Sequence, residues 1–244
     1  MLAAMDERAR EPEISVIVPA YDEAENVPVL VAETRAALEA CGRPWELVLV
    51  DDGSTDGTTE RIRAAATAEP RIRPVLLAAN GGQSAALAAG FARARGRILV
   101  TLDADLQNDP ADLPRVLAAL ENADVVSGVR ARRRDSALRL VSSRIANGFR
   151  RAVLGDPVTD IGCSFKAYRR EALEGLPLFV GVHRFLPALC VFRGARLAEV
   201  EVSHRPRRHG RSKYGVGNRL WRGLHDLLGV RWLKSRLVRY RVRD

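Results

Sequence analysis

The chain has 244 residues, 47% hydrophobic and 28% charged, and a formal net charge of +9 from 39 Lys+Arg against 30 Asp+Glu. That length suits one large α/β domain, and the balance excludes collagen-like, disordered and disulfide-scaffold classes. No apolar run approaches the ~18 residues that span a bilayer and no apolar leader precedes a cleavage site; three scattered cysteines, Cys41, Cys163 and Cys190, read as reduced thiols of a cytosolic compartment.

Short β-branched runs alternate with Ala/Leu/Glu/Arg-rich segments over the first half, the pattern of βαβ units and a mostly parallel sheet. Ile14–Val18 reads as the first strand, and Asp22 caps a helix to about Ala40 with Pro28 near its first turn. Leu47–Val50 is the second strand, followed by Asp56 as cap of a helix through Ala66. Ile72–Leu77 is the third strand, Gln83–Ala94 a small-residue helix and Ile98–Leu102 the fourth strand. A helix near Leu113–Glu121 and a fifth strand at Asp124–Val129 complete the regular part. Beyond it, a helix over Ser136–Val153, a strand near Ser164–Tyr168, a helix near Phe185–Phe192 and a strand near Leu197–Val202 finish the sheet and build its acceptor side. His204–Tyr214, with Pro206, Gly210 and four arginines, has nothing apolar to bury and reads as a mobile loop.

The positive charge is segregated. Ser203–Asp244 holds 13 basic and 2 acidic residues, so the other 202 residues carry 26 basic against 28 acidic. Arg130, Arg132, Arg133, Arg134 and Arg139 form a second cluster, of which Arg132 and Arg133 read as plain surface charge. Segregated charge points to an anionic partner. Nucleic acid is disfavoured, because zinc-finger spacing, an RNP-like strand motif and a heptad are all missing. Leu220, Trp221, Leu224, Leu227 and Leu228 fall at helical spacing among Arg219, Arg222 and Asp226, and Trp232, Leu233, Leu237 and Tyr240 continue among basic residues. Such a stripe suits a helix lying in a headgroup layer, and it suits core packing equally well.

In an open parallel sheet ligands bind beyond the carboxyl ends of the strands. Three acidic motifs fall there: Pro19-Ala-Tyr21-Asp-Glu23 after the first strand, Asp51-Asp52-Gly-Ser after the second and Asp103-Ala-Asp105 after the fourth. Asp103, Asp105 and Gln107 offer oxygen donors at a spacing suited to Mg²⁺ or Mn²⁺ bridging a nucleotide diphosphate. No G-x-G-x-x-G loop, P-loop or H-E-x-x-H pair is present, which disfavours hydride transfer, P-loop hydrolysis and zinc hydrolysis.

Ser15-Val-Ile-Val-Pro-Ala-Tyr-Asp-Glu, Val50-Asp-Asp-Gly-Ser-Thr-Asp-Gly, Asn80-Gly-Gly82-Gln and Leu102-Asp-Ala-Asp-Leu-Gln together resemble a family 2 glycosyltransferase of the nucleotide-diphospho-sugar transferase (GT-A) fold. Ser127-Gly-Val-Arg, Gly162-Cys-Ser-Phe-Lys-Ala-Tyr-Arg-Arg and Arg207-Arg-His-Gly-Arg-Ser-Lys are similar to its polyprenyl-phosphate branch, which includes dolichyl-phosphate mannose synthase. The resemblance covers about residues 13–232 and implies a tail over 1–12, a transferase domain over 13–214 and basic amphipathic helices over 215–244. It implies a donor pocket of Pro19, Tyr21, Glu23, Asp52, Gly82 and Asp103, and a metal on Asp103, Asp105 and Gln107. Arg130, Arg134, Arg207, Ser212 and Lys213 would meet the acceptor phosphate, so that Asp103, Asp105, Arg130, Arg207 and Lys213 carry the chemistry.

The implied reaction is inverting transfer of a hexose from GDP-mannose or UDP-glucose to a polyprenyl phosphate, on the cytoplasmic face of a membrane. A lipid monophosphate is ionised near neutral pH and needs no strong base; the protein's tasks are charge neutralisation and alignment. Membrane contact then comes from the basic tail or from a membrane-bound partner. The alternative is transfer to a sugar hydroxyl, which needs a general base, and Asp156 and Asp160 lie in the right part of the chain. A non-enzymatic binding module is opposed by the intact Asp103/Asp105 pair. Arg231-Trp232 follows Leu228 where processive synthases have the Gln of Q-x-x-R-W, which opposes processive synthesis.

Overall fold

The computed structural model describes residues 11–130, 147–207 and 217–237, with side chains from 223 onward in the last stretch. The chain runs β1 (Ile14–Ala20), α1 (Val27–Ala40), β2 (Trp45–Asp51), α2 (Thr58–Ala68), β3 (Ile72–Leu76), α3 (Gln83–Arg93), β4 (Ile98–Thr101), α4 (Leu113–Ala119) and β5 (Val125–Arg130). It continues through α5 (147–154), β6 (Lys166–Arg169), α6 (Arg170–Leu173), α7 (Leu186–Phe192), β7 (Leu197–Val202) and α8 (Gly217–Ser235). The strands form one seven-stranded sheet in the order β3-β2-β1-β4-β6-β5-β7. All neighbours are parallel except β6, which runs antiparallel between β4 and β5.

Strand character follows burial on both faces. In β2 all seven residues are buried, and β1 is buried except at Pro19, as expected where helices cover a parallel sheet on both sides. β3 is an edge strand and so tolerates Pro74, which has no amide to donate. In α3 the small residues have a geometric purpose: a Cβ on Gly90 would come within 2.4 Å of Ile17 Cγ2, so the glycine lets the helix press onto β1. That contact fixes where the amino end of α3 stands over the sheet's carboxyl edge.

Two expectations need correction. Asp22 does not cap α1; the helix starts at Val27 behind Asn26, and Pro28 takes its first turn. Asp56 acts one position earlier than a regular cap, accepting from the Thr58 amide while Gly57, at φ 94°, holds the cap position. Of the expected helix over Ser136–Val153 and the loop over His204–Tyr214, residues 131–146 and 208–216 lie outside the described residues, while 147–154 are helical.

Below the sheet, at the amino ends of the strands, Glu46 is fully buried within β2. Its carboxylate accepts from Ser15 Oγ at 2.6 Å, the Arg95 amide at 2.6 Å, Arg95 Nε at 3.0 Å and Arg73 NH1 at 3.1 Å. Burial alone would raise its pKa, but these donors outweigh burial and hold it below the usual range. Hydrogen bonding to Arg43 likewise holds Glu13 down at about 2. Because these folded-state values lie below the unfolded carboxylate value of ~4.3, the stability they contribute is complete above that value and drains away as pH falls toward 2. Glu46→Gln should lower unfolding free energy at pH 7 by about 2 kcal/mol and flatten the loss between pH 5 and 3, read from urea midpoints at each pH.

Candidate functional site

β2, β1 and β4 are neighbours, so their three acidic loops emerge side by side. The first two loops are stitched together: the Asp22 amide donates to Ser54 Oγ at 2.9 Å, the Glu23 amide to Thr58 Oγ1 at 2.8 Å, and the Thr55 amide to Asp22 Oδ1 at 2.8 Å. Asp22 therefore serves the β2 loop rather than its own helix. Among the described residues the only non-glycine positions at positive φ are Asp22, at 47°, and Leu106, at 60°. Both lie in the acidic loops, where backbone strain commonly accompanies function.

Asp52, buried at the end of β2, receives the Gly81 amide at 2.8 Å on one oxygen and the Gly82 amide at 2.9 Å on the other. This clamp positions the Asn80-Gly-Gly-Gln turn and with it the start of α3. Gln83 Nε2 then reaches across to Asp103 Oδ1 at 2.8 Å. Pro19 closes β1 opposite Val50, and Tyr21 and Glu23 stand half-buried beyond it. Pro19, Tyr21, Glu23, Asp52, Gly82 and Asp103 thus all belong to the ends of β1, β2 and β4, the loops that follow them, or the start of α3.

Asp103 and Asp105 follow β4. Burial, aided by the charge of Asp105, pushes Asp103 up to about 6, while a hydrogen bond from Ser164 works against the shift. A carboxyl held up by burial beside a second carboxylate suits a hard cation. A cationic group already meets them: Arg207 NH2 donates to Asp105 Oδ2 at 2.7 Å, with NH1 3.6 Å from Glu23 Oε1. Among the described residues no cluster of three or more His, Cys, Asp or Glu side chains could hold a metal, so a cation here would complete its shell from Gln107, water and ligand oxygens. Gln107 serves the loop by its main chain, donating to Asp105 Oδ1 at 3.1 Å and accepting from the Arg205 amide at 2.8 Å.

Arg207 is delivered by a strap after β7. The Ser203 amide donates to Asp112 Oδ2 at 2.6 Å, and Arg205 pairs with Asp109 at 2.5 Å and Glu33 at 2.6 Å. Sequence reasoning missed Arg205 because its partners are 96 and 172 residues away.

On the other side, at the end of β5, Arg130 makes a bidentate pair with Asp160, at 2.7 and 2.8 Å. Gly162 leaves room for it; a Cβ there would come within 2.8 Å of the guanidinium. Asp156 is buried and paired with the buried Arg150. Both acids weighed as general bases are therefore held by arginines. Arg134, Ser212 and Lys213 lie outside the described residues. Sequence reasoning also passed over Lys166, buried in β6 within a quoted motif, and His183, whose Nδ1 lies 2.9 Å from Ser84 Oγ. Burial pushes His183 down to about 3, so the ring is neutral near pH 7.

The profile of glycosyl transferase family 2 matches residues 15–176. The undecaprenyl-phosphate 4-deoxy-4-formamido-L-arabinose transferase of Aeromonas hydrophila subsp. hydrophila is 40% identical over 83% of this chain and 63% of its own length. The same-named protein of Pectobacterium carotovorum subsp. carotovorum is 41% identical over 88% and 66%. The chain thus spans less than two thirds of the length of either relative. Glucosyl-3-phosphoglycerate synthase from Mycobacterium tuberculosis, solved with Mg²⁺ and uridine diphosphate, shares the fold, with a TM-score of 0.69 over 98% of this chain and 85% of its own at 21% identity.

The close approach of the β2 loop to the α3 turn yields a test. Gly53 sits at φ 72°, and a Cβ there would lie 2.6 Å from the Ala79 carbonyl carbon and the Asn80 nitrogen, both backbone. Gly53→Ala should cost about 2 kcal/mol or more, measured by urea unfolding, and should accelerate amide exchange at Gly81 and Gly82 by displacing them from Asp52.

Proposed function

The chain belongs to glycosyl transferase family 2, and from that membership we propose that it transfers a sugar from a nucleotide-sugar donor to a polyprenyl phosphate, with inversion at the anomeric carbon. The observation that carries the reading is the opposition of Asp103 and Asp105, at the end of β4, to Arg207 on the strap. The acceptor class of the two relatives supports the lipid phosphate, and the donor is of the GDP-mannose or UDP-glucose type or a nucleotide-activated 4-deoxy-4-formamido-L-arabinose.

In this reading Pro19, Tyr21, Glu23 and Asp52 hold the nucleoside, and Gly82 leaves backbone room beside it. Asp103, Asp105 and Gln107 hold a divalent cation, Mg²⁺ or Mn²⁺, which supplies charge neutralisation on the departing diphosphate. Arg207 gives up Asp105 and takes phosphate oxygens instead, with Arg130, Arg134, Ser212 and Lys213 on the acceptor phosphate; Arg suits this task by its bidentate fork. The acceptor oxygen attacks the anomeric carbon as the bond to the diphosphate breaks. No proton has to be removed, which agrees with the engagement of Asp156 by Arg150 and of Asp160 by Arg130. A hydroxyl acceptor would need one of them as a base.

The acceptor's lipid tail implies a membrane surface. Seven large apolar side chains are exposed among the described residues, and six of them, Phe149, Leu178, Val180, Leu224, Leu228 and Trp232, come from α5, the 178–180 segment and α8. These pieces abut: Arg184 pairs with Asp226 at 3.3 Å, and Arg231 donates to the Val153 carbonyl at 3.0 Å. Leu224, Leu228 and Trp232 recur every four residues on one face of α8, flanked by exposed Arg231 and Arg236, while Leu227 and Val230 are buried on the other. Among the described residues no helix is long and apolar enough to cross a membrane. An apolar stripe edged with arginine suits an anionic bilayer surface on the cytoplasmic side.

The test is an organic-phase assay with Mg²⁺ or Mn²⁺, undecaprenyl phosphate and a panel of labelled nucleotide sugars. One donor should yield metal-dependent lipid-linked label, and Asp105→Asn should reduce it by at least about 100-fold; a fully active variant, or label on a glycan hydroxyl only, overturns the reading. For the membrane face, Leu228→Ser/Trp232→Ser should weaken cosedimentation with anionic liposomes by about tenfold or more, since it removes two large apolar side chains from the contact. Undiminished sedimentation would exclude this stripe.

A further inference from the structure

Lys166 is 3% exposed, in the middle of the sheet, on the one strand that runs against its neighbours. It pairs in register with Thr101 on β4 and with Ser127 on β5. Its ammonium donates to the His183 carbonyl at 3.0 Å and, more weakly, to the Ile161 carbonyl at 3.5 Å. No carboxylate of the described residues lies within 4.0 Å of it. A buried cation without a contacting counter-ion is expensive, and an apolar side chain of similar volume commonly serves stability as well or better. Stability therefore does not explain its presence, whereas its two partners do.

Ile161 follows Asp160, which holds Arg130 bidentately. His183 is joined through its ring to Ser84, whose hydroxyl also accepts the Gly181 amide at 2.9 Å. Ser84 follows Gln83, the residue that holds Asp103. One ammonium thus ties the turn behind Arg130 to the turn behind Asp103. We propose that Lys166 is a positioning residue that keeps the Arg130–Asp160 pair in register with Asp103, setting the spacing between acceptor phosphate and donor diphosphate. The inference rests on the transfer reading above for the identity of those two ligands.

The test uses Lys166→Met, Lys166→Arg and Asp160→Asn in the full chain. Lys166→Met should leave manganese-dependent UDP affinity within about threefold by calorimetry, while raising the polyprenyl-phosphate KM and lowering kcat by about tenfold or more each, the mark of lost alignment rather than lost donor binding. Lys166→Arg, which keeps a cation, should recover a substantial part of that loss. Added to Asp160→Asn, which loosens Arg130 directly, Lys166→Met should cost less than about threefold more, because the two act through one arrangement. Amide exchange should quicken in 158–163 and 181–185 and stay unchanged in β1 and β2. Additive losses, equal loss of donor affinity, or unchanged exchange in both segments would each overturn the proposal. If the wild-type chain loads no polyprenyl phosphate, the transfer reading falls by itself, and the exchange pattern alone decides whether Lys166 braces the two turns. Should Lys166→Met fail to fold, Lys166→Arg and the Asp160→Asn comparison decide it in the same way.

Discussion

Parallel pairing of β1 with β2 on one side and with β4 on the other sends three carboxyl ends to the same edge of the sheet. Each end carries acids, so the pairing that builds the core also crowds like charge above it. The loops answer with donors placed by neighbouring turns: Gly81 and Gly82 amides on Asp52, the Thr55 amide on Asp22, Gln83 on Asp103. Burial, and after it the charge of Asp105, leaves Asp103 with a raised proton affinity. A site with that residue of unsatisfied negative charge favours cations, and whatever brings a cation can bring phosphates with it.

The cations of the other half are arranged in the complementary sense. Arg207 and Arg130 are each already paired with a carboxylate, Asp105 and Asp160, at about hydrogen-bond distance. Such pairs are weak evidence for stability, because desolvation offsets much of the Coulomb gain. The Arg207–Asp105 pair is suited to exchange, since a phosphate oxygen can replace a carboxylate oxygen on the same guanidinium fork without reorienting it, whereas the bidentate Asp160 holds Arg130 in place.

Much of this was legible in the sequence, and the limits have physical causes. β1, β2, β3, β4, β5 and β7 begin and end within about two residues of their expected bounds, because buried β-branched runs between turn signals are a local property. The acidic motifs were legible for the same reason. What was not legible depended on the order of strands: nothing local says that β6 inserts antiparallel between β4 and β5, yet that insertion puts the Lys166 ammonium against the Ile161 and His183 carbonyls. Arg205 and the His183–Ser84 contact were hidden likewise, by separations of 96 to 172 residues. The Asp22 cap failed through competition, since the β2 loop offers its carboxylate the Thr55 amide before the helix begins.

The buried core falls into separate clusters. One cluster of buried residues gathers β1, β2, α1, α4 and the loop after β4, and it carries the acidic loops. Another gathers Leu154, Val158, Tyr168, Phe185 and α7 together with Leu227 and Val230 of α8. In that second cluster Lys234 reaches the Leu154 carbonyl, Arg150 holds Asp156 and the Val158 carbonyl, and two residues later Asp160 holds Arg130. The helix that presents the outward apolar stripe is therefore connected to Arg130 by a short run of polar contacts. The acidic loops stand on the first cluster. On the proposed reading the lipid and its phosphate are handled by one mechanical unit and the nucleotide by another, and the two meet where β4, β6 and β5 lie side by side.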